Sequence, residues 1–207
     1  MTQNNKQILF ICEASSEIGL GHLIRCSALS SFFIKKKWKT VLISSNIDNK
    51  TFKIIGNSFD VCHLNKINNT NFLEKIFIAS QLLVIDNYSF SFEKQKTAMK
   101  YIKTIIFDDF PHRKLKANYL IDPTLERNPK EYTKFINKKC EVYTGTKYVQ
   151  MRKSFQKKNI FRQSFDQYKD LPILIYLGGT NNIEIIDKIC SIIISLKLKN
   201  KINLICN

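Results

Sequence analysis

The sequence predicts an α/β fold in which helices cover both faces of a parallel sheet. Short apolar runs alternate with amphipathic stretches from residue 7 onward. The runs are continuously apolar, as in strands buried on both faces, and glycine-bearing turns follow the runs that end near residues 12 and 177. Gln7 to Cys12 reads as the first strand, Glu13 to Gly21 as a loop, and His22 to Lys36 as a helix. Leu23, Cys26, Ala28, Leu29, Phe32 and Phe33 form the apolar side of that helix. The unit then repeats. Strands are expected at 38–45, 59–64, 82–86 and 104–107, with helices at 48–56, 71–79 and 92–100 between them. Shorter strands follow at 118–121 and 140–143. This is the pattern of a Rossmann-like layer sandwich.

Residues 1–155 are therefore assigned to a first domain and the polar stretch 156–171 to a linker. Residues 172–207 restart the pattern, with a strand at 173–177, a turn at 178–182, a helix at 183–196 and a strand at 201–206. A doubly wound domain needs on the order of a hundred residues. The expectation is one complete domain and a second cut off after its first βαβ unit.

Composition narrows the functions. The chain has 207 residues and a formal charge of +16, from 33 basic and 17 acidic side chains, with 44% apolar residues. A disordered acidic tail, a collagen-like chain and a membrane span are excluded. Of the basic residues 28 are lysine and 5 arginine, which reads as a bias spread over solvated faces. The charge is uneven: residues 128–162 hold ten basic and two acidic groups, a net of +8. A phosphate-bearing small molecule explains that patch as well as a polynucleotide does, and no aromatic-interleaved basic motif is present, so no nucleic-acid partner is expected. The six cysteines form no C-x-x-C pair and no histidine lies at zinc spacing, so no metal site is expected. The N-terminus lacks the pattern of a secretory signal, which places the protein in a reducing cytoplasm.

Ligands of open α/β sheets bind beyond the carboxyl ends of the strands, so candidate chemistry is sought in those loops. In CEASSEIGLGHLIRC, Gly19 and Gly21 allow a tight turn and a close approach to a ligand. His22 lies at a helix start, whose positive end favours anions and a neutral imidazole able to accept a proton. This is not a dinucleotide fingerprint, because Ile24 stands where the third glycine would be; a plain glycine-softened turn is the competing reading. His63 and His112 have weaker claims. Asp86 and Tyr88 end a buried strand, where Asp86 either faces the same crevice or caps the following turn. Asp108 and Asp109 are a paired acid at the next strand end, suited to structural hydrogen bonding or to a metal. Gly178, Gly179 and Thr180 form a generic βα turn that could approach a phosphate.

Taken in order, these loops resemble the UDP-sugar hydrolases of pseudaminic acid biosynthesis, which cleave UDP-2,4-diacetamido-2,4,6-trideoxy-β-L-altropyranose. Their I-G-x-G-H-x-x-R segment is matched by Ile18, Gly19, Gly21, His22 and Arg25, and their Asp-His-Tyr strand end by Asp86, Asn87 and Tyr88. Asp108 and Asp109 match an acidic pair, and Gly145, Tyr148, Arg152 and Phe155 match G-x-x-Y-x-x-x-R-x-x-F. Gly178, Gly179 and Thr180 match a Gly-Gly-Thr-Asp turn. The chain departs from the pattern at Ile11, Glu13, Asn87 and Asn181, where the family has Arg, Asp, His and Asp. The resemblance implies a two-domain GT-B architecture and metal-independent, inverting hydrolysis that releases UDP and free sugar, with no cofactor. It implies His22 as general base. Gly19, Gly21, Arg25, Asp86, Tyr88, Asp109, Tyr148, Arg152, Gly178, Gly179 and Thr180 would be the substrate contacts, with a monomer if the second domain is complete. A related GT-B glycosyltransferase and a catalytically silent fragment are the alternatives, the latter because most of the nucleotide-holding second domain is missing from the sequence.

Overall fold

The computed structural model describes residues 6–13, 20–45, 47, 55, 58–155, 171–176, 183–197 and 200–205. The helix expected at 48–56 (Ile55 apart), the turn at 178–182 and Gly19 lie outside the described residues. The described residues form two compact units, one up to residue 155 and one from residue 171.

The first unit is a Rossmann-like α/β layer structure. Its strands are β1 (Gln7–Glu13), β2 (Lys39–Ser45), β3 (Val61–Leu64), β4 (Leu82–Asp86), β5 (Lys103–Phe107), β6 (Tyr119–Asp122) and β7 (Glu141–Thr144). They form one sheet in the order β3-β2-β1-β4-β5-β6-β7, and every pairing is parallel. The helices are α1 (Gly21–Lys35), α2 (Thr70–Ile78) and α3 (Phe92–Ala98). The order reverses between β1 and β4, which opens a crevice at their carboxyl ends.

The apolar runs explain the burial. In β1, Leu9 and Ile11 join Leu73, Phe77, Ile85 and Ala98 on the α2/α3 side, while Ile8, Phe10 and Cys12 join Leu23, Cys26 and Val84 on the α1 side. Alternate residues of one strand thus enter two cores, and each fully buried Leu, Ile or Phe contributes about 1.5–3 kcal/mol. Helix starts follow local chemistry. The Asn69 side chain accepts from the Phe72 amide at 2.9 Å and so caps α2, and Ser91 caps α3 through the Lys94 amide. Helix α1 starts with no side-chain cap and no acid in its first turn.

Sequence and structure differ by a residue or two at the ends. The third strand begins at Val61 rather than Phe59, because Asp60 turns its carboxylate onto the Thr40 amide (2.7 Å) and hydroxyl (3.0 Å). Helix α3 ends at Ala98 instead of Lys100, closed by Met99 and two turns that return the chain to β5.

In the second unit, β8 (Ile173–Tyr176) and β9 (Ile202–Ile205) pair in parallel, joined through α4 (Ile183–Ser195). Ile186, Ile189, Cys190 and Ile193 form the less exposed stripe of α4, while Ile183, Ile185, Ile192 and Ile194 are exposed. Among the described residues, no helix is long and apolar enough to cross a membrane.

Candidate active site

The switch point carries a compact polar cluster. Asp86, the last residue of β4, is fully buried, and its alternation with Val84 turns it toward α1. Helix α1 answers with His22, Arg25 and Cys26, whose i, i+3, i+4 spacing puts them on one face. His22 Nδ1 lies 2.5 Å from Asp86 Oδ1. Arg25 grips the same carboxylate with two nitrogens, Nε to Oδ2 and Nη2 to Oδ1 (2.5 Å). Its Nη1 reaches both oxygens of Asp109, at 3.0 and 3.1 Å. The Tyr88 hydroxyl donates to Asp109 at 2.9 Å, and its ring meets the His22 ring edge-on, 5.1 Å between centroids.

Arg25 Nη2 also lies 3.2 Å from His22 Nδ1, but a guanidinium only donates. The shorter contact to an anionic oxygen therefore decides the tautomer. Nδ1 carries the proton and donates a hydrogen bond to the Asp86 carboxylate, which leaves Nε2 as the proton-accepting nitrogen. Burial opposes ionisation of Asp86, but the bonds from Arg25 and His22 outweigh it and hold the carboxyl below its ordinary range. Burial and the neighbouring Asp109 push the Tyr88 phenol well above its ordinary value, so Tyr88 acts as a donor. Burial likewise raises the thiols of Cys12 and Cys26 beside the cluster and makes them poor nucleophiles.

A second layer stands behind these groups. Arg113 stacks 4.9 Å over the Tyr88 ring, donates to the Tyr88 carbonyl at 2.5 Å, and pairs with buried Asp108 at 3.0 Å. Arg127 binds Asp122 (2.6 Å), Glu131 (2.7 Å) and the Asp109 carbonyl (2.9 Å). Burial raises the Asp108 carboxyl in spite of Arg113, and its Oδ2 has no hydrogen-bond partner among the described residues.

The structure thus brings together His22, Arg25, Asp86, Tyr88 and Asp109, from α1 and two strand ends. Asp86 does not cap its own turn. The donors of Arg25 and the oxygens of Asp86 are taken up by each other and by neighbours. Gly21 is the first residue of α1 and has no left-handed φ; a Cβ there would meet nothing within 4 Å, so neither the turn nor packing requires glycine. Tyr148 lies in the turn beyond β7, three strands from β4 in the sheet order, with its ring 5.4 Å from Tyr143. Arg152 lines a separate groove of about 440 Å³ along the outer side of α1, with Ser27, Ser31, Lys35 and Lys153. Gly19, Gly178, Gly179 and Thr180 lie outside the described residues. His63 packs against Phe72, and His112 Nδ1 contacts the Phe110 carbonyl at 2.9 Å. Arg113 and Arg127 escaped sequence reasoning, as did buried Tyr132, whose hydroxyl lies 2.8 Å from both Asp122 Oδ2 and the Asp108 carbonyl. The scarcity of arginine in a lysine-rich chain was the available signal, since planar two-nitrogen pairing with a carboxylate favours Arg over Lys.

Fold and site together define a Rossmann-like α/β domain with a carboxylate-anchored histidine at the switch point of its sheet. No family model matches the chain. The chain is similar to the UDP-2,4-diacetamido-2,4,6-trideoxy-beta-L-altropyranose hydrolase of Campylobacter jejuni, with 25% identity over 182 residues that cover 84% of this chain and 61% of that protein. It therefore spans about three-fifths of that relative's length, and at this distance the likeness supports a related function.

Proposed function

We propose that this chain is the catalytic domain of a nucleotide-sugar hydrolase, acting on a UDP-linked diacetamido-trideoxy hexose. The observation that carries the reading is the 2.5 Å contact between His22 Nδ1 and Asp86 at the switch-point crevice. It leaves Nε2 free to take a proton from water as the water oxygen attacks the anomeric carbon. The bond from that carbon to the diphosphate oxygen breaks, and UDP departs with the electron pair. UDP is a good leaving group, so one base suffices where ordinary glycosidases need two carboxylates. Attack opposite the leaving group inverts the anomeric centre, and no step calls for a metal.

Tyr88, turned edge-on to His22 and bonded to Asp109, is suited to position the water or the sugar. Lys147, Arg152 and Lys153, which lie apart from the His22 cluster, add positive charge that draws an anionic nucleotide to the domain. The name of the distant relative supports the substrate class. The domain assignment 1–155, 156–171 and 172–207, a GT-B arrangement, a cytoplasmic location and, where the second domain is complete, a monomer belong to the same proposal.

The test is release of UDP from the UDP-sugar by wild type and His22→Ala. The variant should lose at least 10²-fold in kcat, the usual scale for a general base, with an unchanged circular dichroism spectrum. Near-wild-type turnover by the variant would remove His22 from this role, and turnover only with a sugar acceptor present would make the protein a transferase.

A further inference from the structure

The His22 cluster occupies one face of the sheet, and the opposite face carries a second polar cavity at the same carboxyl end. Its volume is about 360 Å³, and Glu13, Ser45, Asn65, Asn68, Asn87 and Lys94 are among its walls. The sheet pleat explains the separation. Asp86 follows Val84 onto the α1 face, while Asn87 follows Ile85, and Glu13 follows Ile11, onto the face covered by α2 and α3. One strand end thus supplies neighbouring residues to two different chambers.

The chemistry of this wall is specific. Its carboxylate and its ammonium balance, so it offers no net charge. The Lys94 ammonium is committed to Asn68 Oδ1 at 2.7 Å and the Ile67 carbonyl at 3.3 Å, and Glu13 accepts from the Ser89 hydroxyl at 2.7 Å. Asn87 is 2% exposed, and its Oδ1 is buried with no hydrogen-bond partner among the described residues. A buried amide left unpaired is unfavourable, and a group that satisfies it gains specificity as well as affinity. Amides, hydroxyls and one carboxylate around a small cavity suit a neutral ring that carries several hydroxyl or amide groups. A phosphate would meet Glu13, and a free amine would meet Lys94.

We propose that this cavity is a binding site for a neutral, hydroxyl- and amide-bearing sugar ring, with Glu13 and Asn87 as the residues that select it. This site is distinct from the His22 chamber, and the binding of a neutral sugar in it does not rest on the hydrolase reading above.

The experiment is amide chemical-shift mapping on the 207-residue chain with N-acetylglucosamine, glucuronate and glucosamine as neutral, anionic and cationic probes. N-acetylglucosamine should shift the amides of Glu13, Asn65, Asn68, Asn87 and Ser89, and the charged probes should bind at least fivefold more weakly. Glu13→Gln and Asn87→Ala should each weaken binding about tenfold, as expected for one lost hydrogen bond, while His22→Ala leaves it unchanged. Equal binding of all three probes, shifts confined to His22, Arg25 and Asp109, or no binding at all would overturn the proposal. Sugar binding without turnover of any UDP-sugar would overturn the hydrolase reading alone, and turnover by a protein that binds no neutral sugar in this cavity would overturn this inference alone.

Discussion

Three of the five arginines are engaged by buried aspartates at successive strand ends: Arg25 by Asp86, Arg113 by Asp108 and Arg127 by Asp122. A buried carboxylate stripped of its partner is strongly destabilising, on the order of 3–5 kcal/mol, whereas an exposed pair is worth a fraction of that. Arg25→Ala should accordingly lower the unfolding free energy by about 3–5 kcal/mol in a denaturant titration. Arg25→Lys keeps the charge but not the two-nitrogen grip on Asp86, and should lose about 1–3 kcal/mol. Equal stability of Arg25→Lys and wild type would mean that the planar geometry contributes nothing. These pairs were barely legible in the sequence. The partners stand 61 residues apart for Arg25 and Asp86 but only 5 apart for the other two, and no local periodicity links either kind. Asp86 and Arg25 came to notice through strand-end position and family resemblance; Arg113 and Arg127 lie in loops with no regular apolar pattern to mark them.

Elements were far more legible, because each has a local physical signature. A strand buried on both faces must be apolar at every position, and QILFIC and LLVID announce themselves so. Their ends were less clear, since Asp60 and Met99 terminate elements through contacts made only after folding. Of the two glycines at the start of α1, Gly19 lies outside the described residues and Gly21 has ordinary helical backbone, whereas Gly145 has φ +98°. That conformation is one an L-residue adopts only under strain, and the Gly145 amide is at the same time bonded to the Asp122 carbonyl at 2.9 Å. Gly145→Ala should therefore lose about 1–3 kcal/mol and Gly21→Ala less than 1 kcal/mol, read as shifts in the denaturation midpoint. Helix α4 makes a different prediction. Its exposed Ile183 and Ile194, about three turns apart, lie on one side of the helix and form an apolar surface of the sort that drives association. Ile194→Glu should shift the concentration dependence of the apparent mass, measured by light scattering, toward the monomer; an unchanged profile would show that this face takes no part in association.

At the scale of the whole molecule, the sheet gathers its buried acids at one end, and that placement makes stability depend on pH in two opposite ways. Asp86 and Asp122 have lowered values in the fold: burial opposes ionisation at both, but Arg25 and His22 at Asp86, and Thr124, Tyr132 and Arg127 at Asp122, outweigh it. Their contribution is therefore complete above the ordinary unfolded aspartate value of about 3.9 and is lost as pH falls below it, because the unfolded chain then binds protons that the fold refuses. Asp108 has a raised value, since burial outweighs Arg113, and its sign is reversed. The fold holds a proton there that the unfolded chain has already released, so stability declines as pH rises from about 3.9 toward the raised value. Each group changes the slope by at most about 1.4 kcal/mol per pH unit while it titrates. Asp122→Asn should flatten the rise in unfolding free energy below about pH 4, and Asp108→Asn should remove the decline just above it. Denaturant titrations of the three proteins at closely spaced pH values, compared as differences from wild type, separate the two limbs whatever the absolute loss in either variant. If both substitutions changed the same limb, the sign assigned to Asp108 would be wrong, and its unpaired Oδ2 would have to be ionised in the fold.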